Sequence, residues 1–574
     1  MGPKIICSAL LWRYALLIVI SAAMVRPAPA REKTVNGLVL PDDAAPYSEQ
    51  VLRLPCDNTR NETTFDSAVT IYQVFGCGGN LFGDTLVDLD KDFTPRPAAA
   101  ASWSVADDGV TWTFRLREGM MWSDGTPVTA HDYVATFRLE ATPEHGWDFS
   151  WFYTALGDGG IANWTRVVAG ELPPEELGVR AIDELTLEIV TEGFFPPFPG
   201  AMKFGYVLQK RALEQHGPFY NNDPATSVSS GPYILDEFDP GNRIILVANP
   251  DYTGYRPARL ARIEGIYMSP ATYFIAFQTG EIDLVSDGAL TPTDFISIDR
   301  DPVLRDNYLR HYGDFRTDYI LFDTFNPPFD DLDVRKAFAF SVDREAIVRG
   351  VYGEIKAMPA HSMLMPGFPA ADTEGTLAGF QHFDCGLARQ HLAAAGFPGG
   401  DGFPGLEMWL RGEAPALAAV YQATAASIAQ CLKIDLQVSN KDGKVFMDAL
   451  NARPTRLQLG AVSYGMDFLD PANLLGAWVS TGRHSWKNEA FDQAVVGASR
   501  LLGNPDRRLQ MFRDAERILV DDVGGVFIAH RWQGDLFKPH VLGDSFRQPD
   551  SNGVYGRHWG NDWFWGDVYI GKRE

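Results

Sequence analysis

Apolar residues alternate with polar ones at several places along this chain, and each run ends in a turn signal. Trp103 and Val105 alternate up to Asp107-Asp108-Gly109, and Trp112, Phe114 and Leu116 alternate after it, which predicts a β-hairpin. Ser123-Asp124-Gly125-Thr126-Pro127 then reads as a tight turn, and Thr129 is placed to cap a helix that opens with Asp132. A second hairpin is predicted over Leu177 to Thr191, turning at Asp183-Glu184. A third starts after Ser229-Ser230-Gly231-Pro232-Tyr233, turns at Asp239-Pro240-Gly241-Asn242 and returns over Arg243 to Val247. Gln50 to Leu54 reads as a short strand, and Thr64-Phe65-Asp66 as the opening of a helix running toward Leu86.

Further along, Pro270 to Gly280 carries a helical pattern followed by a strand, Glu281-Ile282-Asp283-Leu284. Pro327-Pro328-Phe329-Asp330-Asp331 precedes a helix over Val334 to Ala339, and Asp343 caps another. Asp384 to Ala395 is amphipathic and Ala-rich, with Gly396 as its stop. Helices and strands intermix throughout, so the expected class is α/β with mixed sheets. No internal repeat interrupts the pattern.

The first 30 residues have a different character. Lys4 and Arg13 precede an apolar run, Tyr14 to Val25, and Ala28-Pro29-Ala30 offers a small-x-small cleavage site. The run is short for a membrane span, so residues 1–30 read as a cleavable secretory signal. They carry three basic and no acidic residues, so their removal leaves the chain still more acidic than its formal charge of −24. That charge argues against nucleic acid or an anionic lipid surface as partner, since both are repelled. At 574 residues, the chain exceeds the size at which one core stops growing, about 250–300 residues, so more than one domain is expected.

Cys56, Cys77, Cys385 and Cys431 follow the signal. An even count in an exported chain suggests two disulfides. Of the three possible pairings, Cys56–Cys77 with Cys385–Cys431 is the most local. The cysteines form no CxxC and have no histidines at ligand spacing, so a metal centre is not expected there.

Other candidate chemistry is sparse. Met358, His361, Met363 and Met365 lie within MPAHSMLMP, a set of soft ligands suited to copper, but their irregular spacing between prolines reads as a packed loop. Gly76-Cys77-Gly78-Gly79 lacks the strand–loop–Lys context of a phosphate cradle. No GxSxG elbow, HExxH motif or P-loop occurs. Trp559, Asp562, Trp563, Trp565 and Asp567 motivate a secreted glycosidase using two carboxylates beside aromatic platforms, a reaction that needs a set carboxylate separation.

The run from Ala101 to Phe137, with WSDGTPVTAHDYV inside it, resembles the signature of solute-binding protein family 5, the peptide- and nickel-binding components of bacterial ABC importers. Gly231–Tyr252, Phe277–Leu284, Asn326–Arg344, Asp384–Phe397 and Ser463–Leu475 resemble further blocks in the family's order. Among its members the oligopeptide binders are the most similar, through WSDGTPVTAHDYV and NPPFDDLDVRKAF. The resemblance implies a two-lobed periplasmic binding protein fold with a discontinuous hinge and an extra subdomain. It places the core of lobe 1 at 31–75, 210–314 and 531–574, an inserted subdomain at 76–209, and lobe 2 at 315–530. It also implies a periplasmic monomer that is not an enzyme, uses no cofactor, and hands a peptide or peptide-like solute to an inner-membrane permease. Nickel chelates, opines and similar solutes remain alternatives, and a secreted hydrolase is the alternative from another class.

In the family's peptide binders an Asp ahead of a Pro meets the ligand's α-amino group, a cation that needs a carboxylate partner once buried. Here the motif reads Ser463-Tyr464-Gly465-Met466-Asp467-Phe468-Leu469-Asp470-Pro471. The resemblance makes Asp467 the anchor, Tyr464 a cleft aromatic, and Ser463 to Gly465 the backbone that pairs with the peptide. By itself Asp467 reads as a turn or capping aspartate. Tyr319 matches another cleft aromatic, and Ile71, Tyr72 and Gln73 match the pairing segment of the other lobe. Asp470 reads as the cap of the helix after Pro471. Two departures stand out: the family's Arg for the ligand carboxylate is Ala461 here, and a loop Trp is replaced by Asp442 or Gly443. Arg453 and Arg456 lie near that position without a matching register.

Overall fold

The first hairpin forms two antiparallel strands, Ala100–Val105 and Thr111–Leu116. Asp108 makes the turn by accepting 2.9 Å bonds from the backbone N–H groups of Val110 and Thr111. Trp112, Phe114 and Leu116 are buried on one face, whereas Val105 lies exposed near the hairpin tip. These strands continue into Thr186–Val190 and Val179–Asp183 as a four-stranded antiparallel sheet. The helix Ala130–Ala141 packs on it, opened by a capping box between Thr129 and Asp132. Trp122, Tyr133, Phe137, Trp147, Phe152 and Tyr153 fill the core of this subdomain.

The protein is seen here as a computed structural model that describes residues 32–58, 64, 66, 68–71, 77–90, 94–156, 159–413, 415–452, 455–501, 504–543, 545, 547–550, 553–555 and 563–573. The secretory-signal reading of residues 1–30 falls outside them. Among the described residues no helix is long and apolar enough to cross a membrane.

Two larger sheets build most of the rest of the first lobe. Val51–Asp57 runs parallel to Arg262–Met268, which continues antiparallel into Arg243–Ala248 and Tyr233–Asp239. Leu284–Ser286, Gln533–Phe537 and Tyr308–His311 form a three-stranded sheet beside it. The second lobe is built on a six-stranded mixed sheet in the spatial order Ala357–Pro359, Gly525–Arg531, Thr317–Phe322, Leu459–Tyr464, Leu406–Arg411 and Leu436–Lys441. The class is therefore α/β with mixed sheets. The chain passes between the three-stranded and six-stranded sheets twice, from His311 to Thr317 and from Arg531 to Gln533, so the two lobes are joined by two crossings.

The stretch expected to form a helix toward Leu86 does not do so where it is described. Residues 68–71 and 77–86 make turns and one 3-10 turn, Gly79–Leu81. Side chains from elsewhere take the backbone groups a helix would use. Asp148 accepts from the Ile71 N–H, and Arg256 donates to the Asn80 and Gly83 carbonyls at 2.8 Å each. Gly78 sits at φ +86°, where a helix cannot continue. The strand expected at Glu281 to Leu284 lies instead at Leu284–Ser286. Disulfides join Cys56 to Cys77 and Cys385 to Cys431, with Cα–Cα distances of 5.3 and 5.5 Å.

Candidate functional site

Leu459–Tyr464 is a central strand with one complete edge and one incomplete edge. Along one side it pairs antiparallel with Thr317–Phe322 over its whole length, from Leu459 to Tyr464. On the other side its register with Leu406–Arg411 covers Gly460 and Ala461 alone. Beyond Ala461 that edge opens into a cavity of about 540 Å3. An unpaired strand edge is a template for an added strand, including a peptide ligand.

The chain past the strand is fixed by close contacts. Gly465 lies directly against the Asp314 carboxylate, and a Cβ there would have to push that carboxylate aside. The Met466 N–H donates to the Asp314 carbonyl at 2.7 Å. Asn473, on the helix Pro471–Gly476, accepts from the Asp467 N–H at 2.8 Å and donates to Asp467 Oδ2 at 3.1 Å. Asp470 caps that helix through the Ala472 N–H and holds Arg508 in a two-pronged ion pair at 2.7 and 2.8 Å.

Four of the expected ligand residues therefore meet at one cavity: Ser463, Tyr464, Gly465 and Asp467 line it together. Tyr464 donates its hydroxyl to Asp467 Oδ2 at 2.7 Å. Burial, reinforced by the Asp467 carboxylate, pushes the Tyr464 hydroxyl well up, so it stays protonated and keeps donating. Asp314 and Arg316, from the first crossing between lobes, and Gln533 at the second line the cavity as well. Trp151 of the inserted subdomain adds an aromatic face, and beside the cavity Phe468 meets Phe195 edge-on at 5.0 Å.

The charges around the cavity are mostly paired. Arg316 bridges to Asp314 and donates to Ser463 Oγ at 3.2 Å. Behind it, Asp318 is fully buried beside Arg531, 3.2 Å away, and also receives the Tyr352 hydroxyl. Burial pushes the Asp318 carboxyl up despite that cation.

The remaining expected residues lie elsewhere. Tyr319 is 1% exposed: its ring packs on Trp478 at 5.2 Å and its hydroxyl lies 2.9 Å from His484 Nε2. It shares a face with Val462, its strand partner, and sits in the core rather than on the cavity wall. Ile71 is buried with its N–H held by Asp148 at 2.9 Å, so that group is already committed. Tyr72 and Gln73 lie outside the described residues, as does Arg453. Arg456 is exposed and reaches the Asp448 carbonyl, while Asp442 caps the helix Gly443–Asn451.

Met363 and Met365 are fully buried in the second lobe, and burial pushes the His361 imidazole down to about 4. Trp565 is core, Asp567 pairs with Arg259 at 2.8 Å, the Trp563 side chain is not among those described, and Trp559 and Asp562 lie outside the described residues. Spacing along the chain gave no hint of Arg411, Arg483 or Trp151. They reach the cavity from a strand end, a loop and another subdomain, and only the fold brings them there.

Comparison with known proteins agrees with this architecture. Residues 94–486 match the family described as bacterial extracellular solute-binding proteins, family 5 Middle. A dipeptide-binding protein of Bacillus subtilis is 26% identical over 502 residues, covering 84% of this chain and 87% of that protein. The periplasmic oligopeptide-binding protein of Salmonella typhimurium is 27% identical over 485 residues, covering 82% and 86%. Among solved structures, the unliganded open form of a periplasmic murein tripeptide binding protein superposes with a TM-score of 0.76 at 23% identity, covering 93% of this chain and 99% of that one.

Proposed function

The chain belongs to the bacterial extracellular solute-binding proteins of family 5, and from that premise we propose that it is the solute-capturing component of an ABC importer, holding a peptide or peptide-like solute between its two lobes and passing it to a membrane permease. The observation that carries this reading is the strand edge beyond Ala461, which opens into a cavity beside an oriented carboxylate. A peptide backbone added along Ser463 to Gly465 supplies main-chain bonds that are indifferent to side chains. Its α-amino group then falls to Asp467, whose carboxylate has no cationic partner among the described residues. The names of the relatives, a dipeptide binder and an oligopeptide binder, support the same solute class.

Capture needs no bond to be made or broken. The two crossings, at 312–316 and at Trp532, are the natural hinge, and a solute bridging the lobes stabilises the closed arrangement. The N-terminal pattern and the two disulfides support export through a cleavable signal to an oxidising periplasm, where the protein acts as a monomer.

Native mass spectrometry of the mature protein, purified without denaturation, tests the reading. A set of short peptides travelling with the chain is the expected result. A single non-peptide mass would keep the binding-protein fold and overturn the peptide assignment.

A further inference from the structure

The two disulfides sit in opposite surroundings. Cys56 and Cys77 are 1% and 3% exposed and belong to the apolar core of the first lobe, with Leu52, Leu246 and Ile263. Gly265 backs them so closely that a Cβ there would come within 2.8 Å of Cys56 Sγ. Cys385 and Cys431 instead both line a cavity of about 460 Å3 on the second lobe, which shares no residue with the one beside Asp467. Cys431 is buried, whereas Cys385, the first residue of the helix Cys385–Ala394, is half-buried. Ile347, Val351 and Ala426 line the cavity with them, and Val351 and Ala426 are exposed. Arg389, one turn along from Cys385, is the cation on this wall, and its Nε donates to the Cys431 carbonyl at 2.7 Å. Asp343 also lines the cavity and accepts from the Ala346 N–H, while Asp384, next to Cys385, accepts from Gly386 and Leu387.

We infer that Cys385–Cys431 is a thiol-exchange site, opened by a dithiol reductant in the folded protein while Cys56–Cys77 stays closed. Exchange requires a thiolate to reach a bridge sulfur. The cavity admits one to Cys385, and the packed core denies one to Cys56 and Cys77. One thiolate of the dithiol attacks Cys385 Sγ. A mixed disulfide forms as the Cys385–Cys431 bond breaks, and the electron pair leaves on Cys431 Sγ, which takes up a proton. The second thiol of the reductant gives up its proton and closes on the first sulfur, releasing Cys385 as a thiolate on the wall that carries Arg389. The dithiol is oxidised to a disulfide and the bridge is reduced to two cysteines, a transfer of two electrons. A partner that carries a disulfide runs the same steps in reverse. The bridge of the second lobe can therefore be broken and remade after folding, whereas that of the first lobe is sealed by its core.

The test treats the full mature chain with dithiothreitol under native conditions, quenches with an alkylating reagent at intervals and maps the labelled cysteines by peptide mass spectrometry. Cys385 and Cys431 are expected to become labelled at least ~10-fold faster than Cys56 and Cys77, since access sets the rate. Ala426→Trp, a bulky plug at an exposed helix position, is expected to slow labelling of Cys385 and Cys431 while the protein melts like the parent. Val351→Trp plugs the same cavity from another element and replaces it should Ala426→Trp melt lower. With a monothiol, 2-mercaptoethanol, the trapped adduct is expected on Cys385. Equal labelling rates for the two bridges, or faster labelling of Cys56 and Cys77, overturn the proposal. So does a plugged variant of parental stability whose bridge opens as fast as before. An adduct found on Cys431 alone overturns the attack on Cys385.

Discussion

The Tyr464 hydroxyl donates to Asp467 Oδ2 at 2.7 Å, and the same oxygen receives the Asn473 amide at 3.1 Å. Two neutral donors orient the carboxylate without cancelling its charge. The Asp467 backbone is held as well, through its N–H to Asn473 Oδ1. An anion fixed in this way, with no counter-charge, is preorganised for a cation that arrives from outside.

Asp467→Asn is expected to weaken binding of a free-amine peptide roughly 10-fold or more, the scale of one charge-assisted hydrogen bond, while an N-acetylated peptide binds both proteins alike. Titration calorimetry reads both affinities. Equal affinity of mutant and parent for the free amine would remove Asp467 as the anchor.

Asp470 supports that geometry from behind. It caps Pro471–Gly476, the helix that carries Asn473, and it holds the largely buried Arg508 guanidinium with both oxygens. Asp470→Ala should cost about 3 kcal/mol, because an unpaired guanidinium is left in a low-dielectric site. It should also lower peptide affinity by loosening Asn473. Urea denaturation and calorimetry on the same variant report both, and a change below about 1 kcal/mol would mean that Arg508 finds another partner.

The parts of this arrangement legible in the sequence are the local ones. The hairpins at 100–116 and 179–190 follow from alternation and from turn aspartates whose carboxylates bond the next N–H groups. The caps at Thr129, Asp331, Asp343 and Asp384 are equally local. The motif around Asp467 was visible through family resemblance, since a turn aspartate and an anchor carry the same residue type. The segment after Thr64 misled because its turns are held by Asp148 and Arg256, residues far along the chain. Tyr319 misled for a related reason. The family match places it on the strand Thr317–Phe322, which is buried on both faces, and Trp478 with His484 covers the tyrosine's side. Arg411 and Arg483 had no local signature at all, because their place on the wall of the cavity beside Asp467 depends on which elements meet there.

The Cys385–Cys431 bridge joins the first residue of the helix Cys385–Ala394 to the end of Pro415–Leu432, across 46 positions. Neither cysteine lines the cavity beside Asp467. Replacing both cysteines by serine should cost ~4 kcal/mol of stability, on the loop-entropy scale for a ring of this size, with peptide affinity unchanged. Chemical denaturation beside a binding titration checks this. A loss of affinity without a loss of stability would show that the bridge acts on the cleft instead.

Glu516 gives the fold a pH dependence of definite sign. It is fully buried on the helix Pro505–Asp521, where Oε1 accepts the Leu364 N–H at 2.7 Å. Burial pushes its carboxyl from 4.5 up to about 8, so the folded protein holds this proton where the unfolded chain has lost it. Its contribution is complete below about pH 4.5 and is lost as pH rises through about 8. His530, pushed down to about 3 by burial, acts in the opposite sense: its neutral form is favoured in the fold, and stability is lost as pH falls below 6.5. Glu516→Gln keeps the shape and the acceptor but cannot ionise. Its melting temperature should match the parent near pH 5 and exceed it by several degrees near pH 9, as read by scanning calorimetry across that range. A difference that stays constant with pH would show that Glu516 does not titrate between folded and unfolded states as its burial requires.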